Sequence, residues 1–301
     1  MKEKTIYALG FFDGVHLGHG ALLRACRELA DQYGCKAGVL TFSNHPDELV
    51  LGKAPALINT LEDRDRLIKN RFSMDCVVSI PFDWEMMTMP WQNFYRLLRE
   101  EYGAAGLVCG EDFCFGNAGA GNGRRLQEVC AADGIPCVVV PQLKLEGQVV
   151  SSTYIRTLME QGSMEEAVRF LGHPHILTGP VVHGKQIGRT IGIPTANLLL
   201  PPGLVIPRFG VYACMAVIHG KKYPAVTNIG TRPTVSGIGI TVEPWILDFS
   251  GDLYGQEISL EFHSFLRPET RFPGLKELQQ AIFCNAEETR KFFHKQTAGF
   301  A

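Results

Sequence analysis

Five short apolar runs alternate with four amphipathic ones over the first 140 residues, and this alternation limits the fold more than any other feature. The strand-like runs are Thr5–Leu9, Ala37–Thr41, Cys76–Ile80, Gly106–Cys109 and Pro136–Val140. Helical periodicity predicts helices over Ala21–Tyr33, Leu61–Lys69, Trp91–Tyr102 and Arg124–Asp133. Gly34, Gly103 and Gly134 follow three of them, where a left-handed residue commonly ends a helix. Strands separated by helices pair in parallel and are covered on both faces, which predicts a Rossmann-like α/β domain. Ligands of such sheets bind beyond the carboxyl ends of the strands.

After this region the pattern changes. A helical bridge is expected over Thr153–Leu171, ending at Gly172-His173-Pro174. From Ile176 to Phe265 come β-type runs broken by Gly and Pro: Gly210–Ile218, Tyr223–Thr227, Thr241–Phe249 and Glu257–Phe265. No helical pattern interrupts them, so a small antiparallel β-barrel is expected, followed by terminal helices over Leu275–Phe283 and Ala286–Lys295. A length of 301 residues suits two domains, with expected bounds 1–172 and 173–301.

Composition narrows the partners. Hydrophobic residues at 46% suffice for two cores, and a net charge of −2 gives no global footprint for nucleic acid. No apolar run reaches the ~20 residues of a membrane helix. Met1-Lys2-Glu3-Lys4-Thr5 leads straight into an expected strand, so no secretion signal is expected. Nine cysteines contain no Cys-x-x-Cys and lie mostly in apolar runs, as buried free thiols of a reducing cytoplasm do. Small-molecule ligands, neither nucleic acid nor membrane, and a monomer or weak homo-oligomer are expected.

The chemistry concentrates in Gly10-Phe11-Phe12-Asp13-Gly14-Val15-His16-Leu17-Gly18-His19, between the first strand and first helix. Free N–H groups and the positive end of the helix dipole favour an anion there. Two imidazoles add donors that can carry charge, which suits a nucleoside triphosphate cut between its α and β phosphates. Thr41-Phe42-Ser43-Asn44-His45-Pro46 follows the second strand and Gly110-Glu111-Asp112-Phe113-Cys114-Phe115-Gly116 the fourth. Ser151-Ser152-Thr153-Tyr154-Ile155-Arg156 offers hydroxyls and an arginine. Alone, His-Pro closes a strand and Ser-Ser-Thr caps a helix. Gly119-Ala120-Gly121-Asn122-Gly123 lacks the spacing of a dinucleotide fingerprint and reads as a loop at the first site.

Taken in order, these motifs resemble those of the bacterial bifunctional riboflavin kinase/FMN adenylyltransferase (FAD synthetase) family, and the resemblance covers nearly the whole chain. It implies a nucleotidyltransferase domain followed by a riboflavin kinase barrel. His16 and His19 would be catalytic in the first, with Phe12, Asp13, Gly14, Gly18, His45, Asp112, Ser152, Thr153 and Arg156 binding ATP and FMN. In the second, Gly184, Gly188, Arg189 and Gly192 form a glycine-rich flap that suits phosphates, leading into Pro194-Thr195-Ala196-Asn197. Thr195 and Asn197 are short oxygen ligands suited to Mg²⁺ with nucleotide phosphates. The resemblance makes them the magnesium and ATP residues, adds Asn228 and Arg267 as ligand-binding residues, and makes Glu243 the general base. ATP, riboflavin, FMN and FAD are the implied substrates and products.

The chain departs from the family pattern at Cys114, Gly119 and Val149, where basic residues are usual, and at Trp245. Arg124, Arg125 and Lys144 are the candidate substitutes. Three readings therefore stay open: a bifunctional enzyme, a riboflavin kinase with a weakened first domain, and a flavin-binding protein without turnover.

Overall fold

A computed structural model describes residues 4–184, 188, 192–234 and 237–298. Strand β1 (Thr5–Leu9) is buried along its whole length, as a central strand of a parallel sheet must be. Helix α1 (Leu17–Tyr33) leads to β2 (Lys36–Phe42), α2 (Leu61–Phe72) to β3 (Cys76–Ile80), and α3 (Trp91–Glu100) to β4 (Ala104–Gly110). Helix α4 (Gly123–Ala132) then leads to β5 (Cys137–Val140). The strands lie in the order β3-β2-β1-β4-β5, all parallel. The chain winds one way from β1 to β3 and the other way through β4 and β5, so its direction reverses beside β1, where such sheets hold ligands.

Side-chain alternation divides the core between the two sheet faces. Tyr7 and Leu9 of β1 pack with Phe94 and Leu98 of α3 and with Leu126 and Cys130 of α4. On the opposite face the thiol of Cys26, from α1, approaches the Ile6 carbonyl at 3.3 Å. Helix α1 starts at Leu17, four residues before the apolar periodicity begins, because the His16 side chain caps it.

The helical bridge is two helices, α5 (Ser152–Gln161) and α6 (Met164–Leu171), parted at Gly162. A second sheet follows: β6 (His175–Pro180), β7 (Gly210–Ile218), β8 (Lys221–Thr234), β9 (Gly237–Ile246) and β10 (Glu257–Pro268). It is antiparallel, in the order β6-β10-β7-β8-β9. Leu198 bridges both Val181, just beyond β6, and Val242 of β9, so the segment around 195–199 joins the two edge strands and closes the barrel. Closure pairs the edge groups that an open sheet leaves exposed.

The expected pair of terminal helices is one continuous helix, α7 (Leu275–Ala298). Only Cys284 and Asn285 separate the two expected spans. Asn285 is buried and its side chain accepts from Arg267 Nε at 3.0 Å, so it does not compete for the helix backbone.

The chain divides into two compact units, one of residues up to Leu57 with Leu61–Tyr154, the other of Ile58–Thr60 with Ile155 onward. No helix among the described residues is long and apolar enough to cross a membrane, and all nine cysteines are free thiols.

Candidate active sites

The loop between β1 and α1 is tightly held. Phe12 and Val15 adopt left-handed backbone conformations, with φ of 61° and 42°. A β-branched residue there is strained and persists only where its surroundings fix it. Here Val15 N–H donates to the Phe12 carbonyl at 3.1 Å, and the Ser152 hydroxyl to the Asp13 carbonyl at 2.9 Å. Phe12, Asp13, Gly14 and Val15 are all buried.

The two histidines form a unit. Their rings stack with centroids 3.6 Å apart and planes within 13°. His16 Nδ1 accepts from the His19 backbone N–H at 3.2 Å, which caps α1. A neutral His16 therefore carries its proton on Nε2 and can donate it to an anion. A Cβ on Gly18 would lie 3.1 Å from the His16 ring, so only glycine leaves the imidazole where it is. Burial, followed by the neighbouring His16 and Arg64, holds the His19 imidazole well below the ordinary histidine range. Its Nδ1 is buried without a partner, and the Phe12 ring meets it edge-on at 5.2 Å.

The His45 loop follows β2, the neighbour of β1. His45 meets the Phe11 ring edge-on at 4.6 Å and its Nδ1 accepts from Asp47 N–H at 3.1 Å. Phe11 and His45 thus join the first and second motifs. Asp112 follows β4, on the other side of β1, and takes a hydrogen bond from Gln142 at 3.4 Å. Ser152 and Thr153 open α5, and Arg156 lies one turn further along it.

Sequence reasoning missed Arg64, a buried arginine of α2 whose guanidinium reaches the carbonyls of Phe11 and Phe42 at 3.1 Å each. Its only signal was a basic residue at an inward position of a charge-rich helix.

Two of the four departures from the family pattern, Cys114 and Gly119, lie together. Cys114 is exposed on a short hairpin with Gly121–Asn122, and a Cβ on Gly119 would lie 3.5 Å from that of Cys114. Arg125 packs over Trp91 at 5.7 Å and donates to the Ala120 carbonyl, anchoring the same loop. Arg124 is paired with Glu128 at 3.0 Å. Lys144 is the direct cross-strand partner of Val149.

In the second unit α7 lies against the sheet. Ala286 packs with Val211, Val226 and Leu247, and with Trp245 and Leu266 at the margin. Nearby, a pocket of about 300 Å³ is lined by Thr195, Asn228, Glu243 and Arg267 together with Gly188, Trp245 and Phe272. Leu278, Ile282 and Asn285 supply its helical wall from one face of α7. Asn228 and Glu243 are register partners on β8 and β9, which places their side chains on one sheet face. Arg267 stacks over Phe272 at 5.4 Å. The helical wall went unread in the sequence, although its i, i+4, i+7 spacing was visible there.

A second pocket, of about 240 Å³, adjoins at Thr195 and is lined by Pro194, Ala196, Phe249, Asp252 and Tyr254. His183 stacks on Tyr254 at 3.7 Å. The flap reaches the metal-binding expectation directly: a Cβ on Gly184 would meet the Asn197 amide at 2.4 Å. Among the described residues no group of three or more His, Cys, Asp or Glu could hold a metal. A threonine hydroxyl and an asparagine amide are hard neutral oxygens, which fits Mg²⁺ completed by phosphates. Gly192 is described, with φ of 73°, whereas Arg189 lies outside the described residues.

The FAD synthetase family model matches residues 1–154, and the riboflavin kinase family model residues 171–293. The chain is 37% identical over 296 residues to a bifunctional riboflavin kinase/FMN adenylyltransferase of Escherichia coli K12, covering 97% of this chain and 94% of that one. Its identity to proteins of the same description is 34% in Bacillus subtilis, over 97% of this chain and 93% of that one. In Listeria monocytogenes it is 33%, over 96% and 93%. A solved structure described as a macrolide-efflux protein from Streptococcus pneumoniae superposes with a TM-score of 0.87 at 29% identity, covering 96% of this chain and 95% of that one.

Proposed function

The chain belongs to the bifunctional riboflavin kinase/FMN adenylyltransferase family, and on that footing we propose that it makes FAD from riboflavin in two ATP-dependent steps at two sites. The observation that carries this reading is that each compact unit holds its own phosphate-handling constellation: the stacked His16–His19 pair in one, and Glu243, Thr195, Asn228 and Arg267 around one pocket in the other. We assign adenylyl transfer to residues 1–172 and riboflavin phosphorylation to residues 173–301.

In the barrel, riboflavin occupies the pocket between the sheet and α7, its ring system against Trp245, Phe272, Leu278 and Ile282. The Glu243 carboxylate accepts the proton of the ribityl 5′-hydroxyl as its oxygen attacks the γ-phosphorus of ATP. The bond from that phosphorus to the β-phosphate oxygen breaks, and ADP leaves. Thr195 and Asn197 would hold Mg²⁺, which when bound would offset the negative charge of the phosphates. Gly184, Gly188 and Gly192 let the flap backbone approach them, and Asn228 and Arg267 orient the substrate.

In the first domain, an oxygen of the FMN phosphate attacks the α-phosphorus of a second ATP and pyrophosphate departs, so no protein nucleophile is required. His16 donates from Nε2 to the phosphates while its Nδ1 stays committed to the helix cap. His19, neutral in the empty site, gains its charge-stabilising role when the triphosphate brings negative charge beside it. Ser152, Thr153 and Arg156 hold phosphate oxygens, with Lys144 supplying the cation that Val149 lacks. His45 and Asp112 flank the crevice at the ends of the strands on either side of β1. Free thiols throughout and the absence of any need for a membrane suit a cytoplasmic enzyme acting on small molecules.

Purified protein given riboflavin, ATP and Mg²⁺ should yield FMN and then FAD. Glu243→Gln should abolish most FMN formation while leaving conversion of supplied FMN to FAD near normal, and His19→Ala should do the reverse. Either variant losing both activities while folded would overturn the assignment of separate sites. FMN without FAD from the unaltered protein would identify a kinase with a silent first domain.

A further inference from the structure

Arginine is almost never fully buried unless it is paired. Arg64 is 2% exposed, among the largest fully buried side chains of the molecule, yet it belongs to none of the motifs already assigned. Its donors are spent on three neighbouring strands. Nη1 donates to the carbonyls of Phe11, just beyond β1, and Phe42, the last residue of β2, at 3.1 Å each. Nη2 donates to Ser79 Oγ of β3 at 3.3 Å, and Nε to Asp65 at 3.2 Å. The guanidinium also lies over the Phe11 ring at 5.3 Å, and that ring meets His45 edge-on at 4.6 Å.

We propose that Arg64 is the positioning residue of the adenylyl-transfer centre: its fork clamps the histidine loop after β1 to the His45 loop after β2, and its buried charge sits behind the imidazole pair. The proposal rests on the reading that His16 and His19 serve adenylyl transfer. The Phe11 carbonyl takes a second bond, from the Thr41 hydroxyl at 3.1 Å, so the peptide that opens the histidine loop is fixed from both strands. A guanidinium alone among side chains offers a rigid fork able to reach three strand ends at once. Lysine would keep the charge and lose the fork.

The charge has a second consequence. The charged and titratable groups acting on His19 are His16, from its own loop, and Arg64, from α2; after burial, both disfavour its protonated form. Burial lowers the Arg64 guanidinium from its ordinary range, and Asp65, Asp13 and Glu62 partly offset this in favour of its charged state. Burial, His16 and this fixed cation together keep the imidazole neutral until the triphosphate arrives, and the cation adds to the attraction of the α1 N-terminus for phosphate.

The test uses the full chain, with riboflavin phosphorylation as an internal control. Arg64→Met should lower kcat for FMN adenylylation about 100-fold, as ångström-scale misplacement of a catalytic group does, and leave FMN formation from riboflavin unchanged. Followed by NMR, the His19 imidazole should titrate at higher pH in Arg64→Met and at its original pH in Arg64→Lys. Arg64→Lys should restore that titration without restoring kcat, which separates the fork from the charge. Wild-type kcat in both variants, an equal fall in both reactions, or a His19 titration unmoved in Arg64→Met would overturn the proposal. If Arg64→Met does not fold, Arg64→Lys decides: reduced kcat with unmoved titration supports the clamp, and wild-type kcat refutes it. His19→Ala with unimpaired FAD formation would instead reject the site on which the proposal stands.

Discussion

Lys144 faces Val149 across a two-residue ladder, at the position where the family resemblance calls for an arginine. Side chains of directly opposed residues stand on the same face, within reach of one ligand. In the proposed site Lys144 therefore stands in, from across the hairpin, for the cation that Val149 lacks. A charge-assisted hydrogen bond contributes about 1.5–3 kcal/mol, so Lys144→Ala should raise KM for the adenylyl-transfer substrates at least about ten-fold. Adding Val149→Arg in that background should restore most of the loss. Unchanged steady-state kinetics in Lys144→Ala would show that the phosphates are held elsewhere. Arg124 and Arg125 are poorer substitutes because one is paired with Glu128 and the other is spent on Trp91 and the Ala120 carbonyl.

Among the elements, α7 determines the second pocket. Its apolar face was visible as two short helical patterns, but its continuity depends on Asn285 finding a partner in Arg267. Ala286 is 1% exposed where the helix lies against Val211, Val226 and Leu247. A larger residue there cannot be accommodated without moving the helix, and overpacking costs about 1–3 kcal/mol. Ala286→Leu should thus lower the stability of the barrel and raise KM for riboflavin, since Leu278, Ile282 and Asn285 shift with the same helix. Conversion of supplied FMN to FAD should persist. Equal losses in both reactions would show that α7 does not act through the pocket.

For the molecule as a whole, each unit holds a histidine in its neutral form, fully buried in the case of His175 and partly buried in the case of His19. Burial, and secondarily His173, pushes His175 down to about 3, and both of its ring nitrogens lack a partner. His19 is lowered as well. In the unfolded chain both take up a proton below about pH 6.5. The unfolded state then binds more protons, so stability is fully present above that pH and falls as the pH is lowered. Each histidine contributes a slope of about 1.4 kcal/mol per pH unit, continuing toward pH 3 for His175. Urea midpoints measured between pH 7.5 and pH 5 should fall accordingly. His175→Phe, beside Phe262 at 5.8 Å, should flatten the fall for the barrel without loss at neutral pH. An equally steep fall in that variant would assign the acid sensitivity to other groups.

The sequence by itself determined the element order, the parallel α/β half and the β-rich half, because periodicity and glycine placement are local properties, and its short motifs supplied the candidate site residues. It located His16 and His19 at a strand end and Glu243 within a β run, and helix α1 differed only at its start, where a side-chain cap extends it. Only the tertiary structure decided the rest: that Leu198 closes the barrel between two edge strands, that Lys144 stands opposite Val149, and that Arg64 ties three strand ends together. Those contacts join residues far apart in the chain or turn on a hairpin's register, and local sequence preference carries no information about which distant carbonyl a buried donor will find.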